Sequence, residues 1–118
     1  MKYSLQYPDY NRCILSISAS LLSKFGIKSN YPTLKELDKY LKKEYKNIIF
    51  LILDCLGSKI LENNLSEYSI LKKNVKTNIT TIFPSTTVAA TTAFHSGIST
   101  LENGWIGWMP YFSEYDDI

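Results

Sequence analysis

Between Thr80 and Gly97 the chain reads TTIFPSTTVAATTAFHSG, with six threonines, two serines and the only histidine of the sequence. Hydroxyls crowded behind a proline and ahead of an alanine-rich run raise the question of nucleophilic chemistry. Thr86 and Thr87 stand where a helix is expected to begin. Free N–H groups and the positive dipole end of a helix start favour a phosphate or a developing alkoxide. A second group of interest is the carboxylate of Asp54, directly after the apolar run IIFLIL and before CLGS. In doubly wound sheets ligand groups sit past the carboxyl ends of strands. A carboxylate and a hydroxyl presented at adjacent strand ends can share a divalent cation, which lowers the hydroxyl's pKa and makes it a nucleophile. A plainer reading stands beside this one. Ser and Thr are preferred helix caps, Thr91 and Thr92 suit a packed helix, and Asp at a strand end is often a turn former. Spacing alone leaves both open.

The elements that must position these groups follow from periodicity. Ile14, Ile17, Leu21, Leu22 and Phe25 recur at helical spacing, and Gly26 supplies a left-handed stop. Pro32 precedes TLKE, where Thr33 and Glu36 have capping-box spacing, and Leu34, Leu37 and Leu41 continue as an apolar stripe. NIIFLILD is continuous, β-rich and bounded by a polar residue at each end, which predicts a parallel strand over residues 47–53, buried on both faces. A short helix is expected from Ser58 to about Asn63 and a further turn near Ser69 to Lys73. A second, more polar strand is expected over residues 75–82. The alanines and threonines from Thr87 to Phe94 predict a closely packed helix ended by Gly97.

Composition bounds the rest. At 118 residues and 13.5 kDa the chain is one domain or less, and 45% hydrophobic with 20% charged residues is ordinary for a globular protein. A formal charge of +2 with scattered lysines names no nucleic-acid polymer as partner. Cys13 and Cys55 make neither a disulfide framework nor a metal-ligand spacing, so a reducing, cytoplasmic setting is expected. The six residues of IIFLIL fall far short of the roughly 20 of a membrane helix, and the serine-broken run from Cys13 to Ala19 is no signal peptide.

IIFLILDCLGSKIL, followed by FPSTTVAATTAFHSGISTLENGWIGW, resembles the N-terminal portion of the type I phosphodiesterase/nucleotide pyrophosphatase family, within the alkaline phosphatase superfamily of two-metal hydrolases. The likeness is closest to its bacterial branch. That branch typically reads strand–Asp–Gly–x–Gly, then Phe-Pro-Ser-Thr-Thr, then a helix ending Ser/Thr-Gly, then His-Gly-(x)-x-Gly-Trp. The resemblance covers most of residues 47–112, and the helical lead-in to Leu41 is compatible with it. It implies that Asp54 is a metal ligand. It also implies that Thr87, ten positions before Gly97, is the nucleophile and a metal contact, with Thr86 as the fallback. Two divalent metal ions, zinc as a rule, are implied as cofactors, with their remaining ligands expected beyond Ile118.

Three positions depart from the pattern. Cys55 replaces the glycine after the aspartate, where crowding of the turn is expected. Asn103 stands in place of the histidine before Gly-Trp. His95 has no partner at ligand spacing, so a structural or solvent-facing role is expected for it. Asp116 and Asp117 are expected to be solvated rather than coordinating.

The expected fold is accordingly an α/β, three-layer α/β/α sandwich of the alkaline phosphatase type. Its mostly parallel sheet would be only partly present, with a helical lead-in over 1–46 and the start of the catalytic domain over 47–118. Its exposed sheet edge would invite oligomerisation. The implied activity is metal-dependent hydrolysis of phosphodiester or phosphate-ester bonds, nucleotide pyrophosphatase-like, through a phosphothreonine. A small-molecule phosphoester or nucleotide is the implied substrate, and the chain by itself, looking like part of a larger enzyme, is expected to be inactive. The alternatives are another hydrolase or mutase of the superfamily, or a degenerate, non-catalytic α/β binding fragment. A sulfatase would need a Cys or Ser nucleophile in a modification motif, which the sequence lacks.

Overall fold

The computed structural model describes residues 6–114. In chain order the helices are α1 (Ile14–Lys24), α2 (Lys35–Leu41), α3 (Ser58–Asn64), α4 (Ile70–Lys73), α5 (Thr87–Ser96) and α6 (Thr100–Asn103). The described residues gather into two compact units. One is drawn from Met1–Lys42 and Ile79–Ile118, the other is Lys43–Asn78. No helix among the described residues is long and apolar enough to cross a membrane. Asp116 and Asp117 lie outside the described residues.

In the first unit α1 packs against α2 and α5, and α5 against α6. The core is small: Cys13, Leu15, Ile82, Ala89 and Ala93, with Ile14, Tyr31 and Ala90 against it. The inward face of α1 is not the Ile14–Phe25 stripe that periodicity predicts. Leu15, Ser16, Ser18, Ala19 and Ser20 are buried, while Phe25 is 70% exposed. Short side chains on α1 and alanines on α5 let the helices approach closely, and each buried hydroxyl finds a partner, as burial of a polar group demands. Ser18 Oγ donates to the Phe94 carbonyl at 2.7 Å, Ser20 Oγ accepts the Leu34 N–H at 2.8 Å, and Ser16 Oγ donates to the Asn11 carbonyl at 3.4 Å.

The expected Thr33–Glu36 capping box does not form. Leu34 is the N-cap of α2 and makes no side-chain cap bond. Thr33 Oγ1 donates to Asp38 Oδ2 at 2.7 Å, and the Glu36 carboxylate is taken by the Arg12 guanidinium at 2.6 Å. The Arg12 pair joins two opposite charges, whereas a box would join the carboxylate to a neutral amide. A capping box is built instead on α6, where Glu102 Oε2 accepts the Ser99 N–H at 2.8 Å and the Ser99 hydroxyl at 2.7 Å. The Tyr31 hydroxyl donates to the same oxygen. Tyr31, then Ser99, hold the Glu102 carboxyl below its ordinary value, as Arg12 does for Glu36. Burial, and then Glu102 itself, push the Tyr31 phenol up.

The three-layer sandwich is not formed among the described residues. They contain no sheet and no strand; Cys13 and Thr80 form an isolated parallel bridge. Residues 47–53 lie outside any strand or helix, and Ile48 through Leu53 are 38% to 92% exposed. A continuous apolar run becomes a doubly covered strand only where neighbouring strands flank it, and no strand is formed among the described residues. Over residues 75–82 Thr80 bridges to the segment ahead of α1: its N–H donates to the Arg12 carbonyl and its carbonyl accepts the Ile14 N–H, both at 3.1 Å. At Ile14 the paired segment enters α1 and the ladder stops. The sheet edge expected for oligomerisation is absent with the sheet.

The second unit holds α3 and α4, close to their expected positions, and none of its residues is buried. Lys72 ties it together: its Nζ donates to the Glu62 carbonyl at 2.9 Å and to the Leu65 carbonyl at 3.4 Å, and it pairs with Glu67.

Two outcomes follow for the first unit. Gly97 ends α5 at φ 72°, and a Cβ there would stand 3.3 Å from Leu22 Cδ1, whereas at Gly104 (φ 73°) it would meet nothing within 4 Å. Gly97→Ala is expected to cost about 1–2 kcal/mol and Gly104→Ala the backbone part of that alone, about 1 kcal/mol, in urea unfolding. Because the Glu102 and Glu36 carboxyls are lowered from 4.5, they stabilise the fold above that value, and the stabilisation is lost as pH falls through their lowered values. The melting temperature is expected to fall as the pH drops below about 5, with a shallower fall in Glu102→Gln.

Candidate functional site

The stretch ahead of α5 is pinned from two sides. The Tyr10 hydroxyl accepts the Phe83 N–H at 3.3 Å, and Thr100 Oγ1 donates to the Phe83 carbonyl at 2.6 Å. Behind it, Thr80 Oγ1 accepts the Asp9 N–H at 2.9 Å, fixing the turn that leads into α1. Phe83-Pro84-Ser85 is therefore delivered to the helix start in one orientation.

At that start the two adjacent threonines take different parts. Thr86 is the N-cap, with φ −75° and ψ 151°, and its side chain accepts the Ala89 N–H at 3.4 Å while its carbonyl accepts the Ala90 N–H at 2.9 Å. Its hydroxyl is thus engaged in the ordinary capping role of threonine. Thr87 is the first helical residue and is exposed. Its hydroxyl has no hydrogen-bond partner among the described residues, and neither do the Thr87 and Val88 amides. An unengaged hydroxyl beside two unengaged amides at a positive helix end suits attack on, and retention of, an anionic centre. Further along, Thr91 Oγ1 donates to the Thr87 carbonyl at 2.8 Å, one turn back in the helix.

Asp54 is exposed in a turn, where its Oδ1 accepts the Cys55 N–H at 2.9 Å. Asp54 and Thr87 fall in different compact units. The strand ends on which both were expected do not exist, since neither strand is formed. Cys55 has φ 59°, the one positive φ at a non-glycine position among the described residues. The position at which the resembled pattern carries glycine is thus held in the conformation glycine favours, at a strain of about 1–2 kcal/mol for an L side chain.

The other departures have local uses. Asn103 Oδ1 accepts the Trp105 N–H at 2.7 Å and its Nδ2 donates to the Ile98 carbonyl at 3.4 Å, closing the turn after α6. His95 is exposed in the last turn of α5, edge-on to Phe94 with centroids 5.5 Å apart. No three His, Cys, Asp or Glu side chains stand together among the described residues in a way that could hold a metal ion. A zinc site takes about three protein ligands, so the described residues alone do not fit a two-metal centre. What sequence reasoning missed is the Tyr31–Ser99–Glu102 cluster. Its signal was present, since Ser99-Thr100-Leu101-Glu102 has the spacing of a capping box.

No protein-family model, no curated protein and no solved structure matches the chain.

The strain at Cys55 is testable by itself. Cys55→Gly is expected to slow hydrogen exchange of the residue-55 amide about threefold, and Cys55→Val to speed it by a larger factor.

Proposed function

We propose that the intact protein is a phosphoester hydrolase of the nucleotide pyrophosphatase-like class, with Thr87 as its nucleophile. The observation that carries the reading is the division of labour at α5: Thr86 spends its hydroxyl on the cap, and Thr87 keeps its own free beside two free amides. The Phe-Pro-Ser-Thr-Thr order and the glycine-like backbone of Cys55 after Asp54 support it. In this reading Thr87 Oγ1 attacks phosphorus in line, the ester P–O bond breaks, and the leaving oxygen departs as the alcohol with the proton that the Thr87 hydroxyl gives up. The Thr87 and Val88 amides hold the phosphoryl oxygens of the resulting phosphothreonine. Water then cleaves that intermediate and returns the hydroxyl. The resemblance would add two divalent ions, zinc as a rule, to neutralise charge at phosphorus, and the described residues alone do not complete such a site. The substrate is a small-molecule phosphoester or nucleotide. A cytoplasmic setting goes with it, supported by the two unpaired cysteines.

The test is release of p-nitrophenolate from bis-p-nitrophenyl phosphate by the full gene product with added zinc or manganese. Thr87→Ala is expected to reduce release to the buffer rate with an unchanged melting temperature. Thr86→Ala is expected to keep most of the rate and to lose about 1 kcal/mol of stability, the worth of a cap. Wild-type rates in Thr87→Ala would remove the hydroxyl mechanism. Loss of rate in Thr86→Ala alone would move the nucleophile by one residue.

A further inference from the structure

Between Ile82 and Ala89, both buried, the backbone that presents Thr87 runs mostly through exposed residues. Phe83 is 71% exposed, and Ser85, Thr86 and Thr87 are exposed as well. Side-chain packing therefore does little to fix this stretch, and hydrogen bonds to its main chain must. Ahead of the helix those bonds meet at Phe83, where the Tyr10 hydroxyl accepts the N–H at 3.3 Å and the Thr100 hydroxyl donates to the carbonyl at 2.6 Å. The two are unequal. The Tyr10 bond is longer than the usual N–H···O range and Tyr10 is 38% exposed, whereas the Thr100 bond is short and Thr100 is 5% exposed. Phe83 is thus set from the Thr100 side.

Thr100 can do this because α6 is anchored from elsewhere. A helix of four residues does not hold itself. Glu102 holds it: Oε2 accepts the Ser99 N–H at 2.8 Å, the Ser99 hydroxyl at 2.7 Å and the Tyr31 hydroxyl, and Tyr31 packs against the core. On the other side of the bond, little slack separates the Phe83 carbonyl from Thr87. The Pro84 ring locks its φ, and Thr86 is fixed as N-cap by the Ala89 and Ala90 amides, which leaves Ser85 to absorb a displacement. The first turn of a helix has no earlier turn to bond its N–H groups, so its geometry depends on the chain that enters it. Resting on the phosphoester reading of Thr87, we propose that Thr100 is the positioning residue for the nucleophile: its hydroxyl, anchored through Ser99, Glu102 and Tyr31, fixes the Phe83 carbonyl and thereby the direction of the Thr87 hydroxyl. In-line attack is sensitive to such placement, and an error of about 1 Å costs on the order of a hundredfold in rate.

The test joins amide resonances to kinetics on the full gene product. Thr100→Val keeps the shape and removes the donor, Thr100→Ser keeps the donor, and Thr100→Cys supplies a weak one. In amide proton–nitrogen spectra Thr100→Val is expected to move the Thr87 and Val88 signals more than those of Thr91 and Thr92, one turn further into α5, and Thr100→Ser to return them. Rates are read with bis-p-nitrophenyl phosphate and added zinc or manganese, well below each variant's melting temperature. Thr100→Val is expected to lower kcat on the order of 10–100-fold with KM within about twofold of wild type. Thr100→Cys should lose less, and Thr100→Ser should stay within about threefold of wild type; this graded order keeps the test independent of how well any single variant folds. Unmoved Thr87 and Val88 amides, full kcat in Thr100→Val, an equal loss in Thr100→Ser, or a loss that falls on KM would each overturn the positioning while leaving Thr87 as the nucleophile. No release from the wild-type protein would instead remove the phosphoester reading, and the role of Thr100 with it.

Discussion

The hydrogen bond from Ser18 Oγ to the Phe94 carbonyl, 2.7 Å long across the α1–α5 contact, is the interaction on which the first unit turns. It is available because the facing positions are short: Ser18 and Ala19 on α1, and Ala89 and Ala93 on α5, are all buried. Larger residues would bury more area per side chain but hold the backbones too far apart for a seryl oxygen to reach a main-chain carbonyl. With so few large side chains in the core, satisfied hydroxyls carry an unusual share of the specificity. Everything that positions Thr87 follows from this docking. The end of α5 is set by Gly97 against Leu22, and its beginning by Thr80, Tyr10 and Thr100 around the incoming strand-like segment.

Helices were the legible part of this chain, and the reason is local. Gly26 and Gly97, at φ 75° and 72°, stop helices where the sequence places them. Ser58, Ile70 and Thr87 begin helices whose signals lie within a few residues of the start. The inward face of α1 was not legible, because hydrophobicity marks Ile14, Ile17 and Phe25 while close approach selects Ser16, Ser18 and Ser20. For Ser18 that choice depends on α5, some seventy residues away in sequence, and for Ser20 on Leu34 ahead of α2. The strands failed for the same reason in a stronger form. A helix makes its hydrogen bonds within itself, whereas a strand exists only by virtue of a partner.

At the candidate site the sequence separated Thr86 from Thr87 only by counting, and the geometry separates them by occupation. A hydroxyl that accepts from an amide two or three residues on is committed to the helix; its neighbour at the first helical position cannot reach such an amide and is left over. Two hydroxyls in succession at a helix start therefore supply a cap and a spare, which one hydroxyl cannot. The departures at Cys55 and Asn103 are of different kinds. Asn103 is absorbed into the turn after α6 by bonds on both ends of its amide, so its presence stabilises. Cys55 occupies a left-handed position with no compensating contact from its thiol, which is exposed. Asp54 braces that turn by accepting the Cys55 N–H, and this bond partly offsets the strain.

The second unit poses the opposite problem from the first. It has the most hydrophobic run in the chain and no buried residue. Within that run the exposure is uneven: Ile49 and Leu51 stand out at 92% and 71%, while Ile48, Phe50, Ile52 and Leu53 are only 38% to 45% exposed. What orders the unit is local: Lys72 Nζ on the Glu62 and Leu65 carbonyls and Asp54 Oδ1 on the Cys55 N–H hold its turns with bonds between residues near in sequence, the kind that form without the distant partner a strand requires.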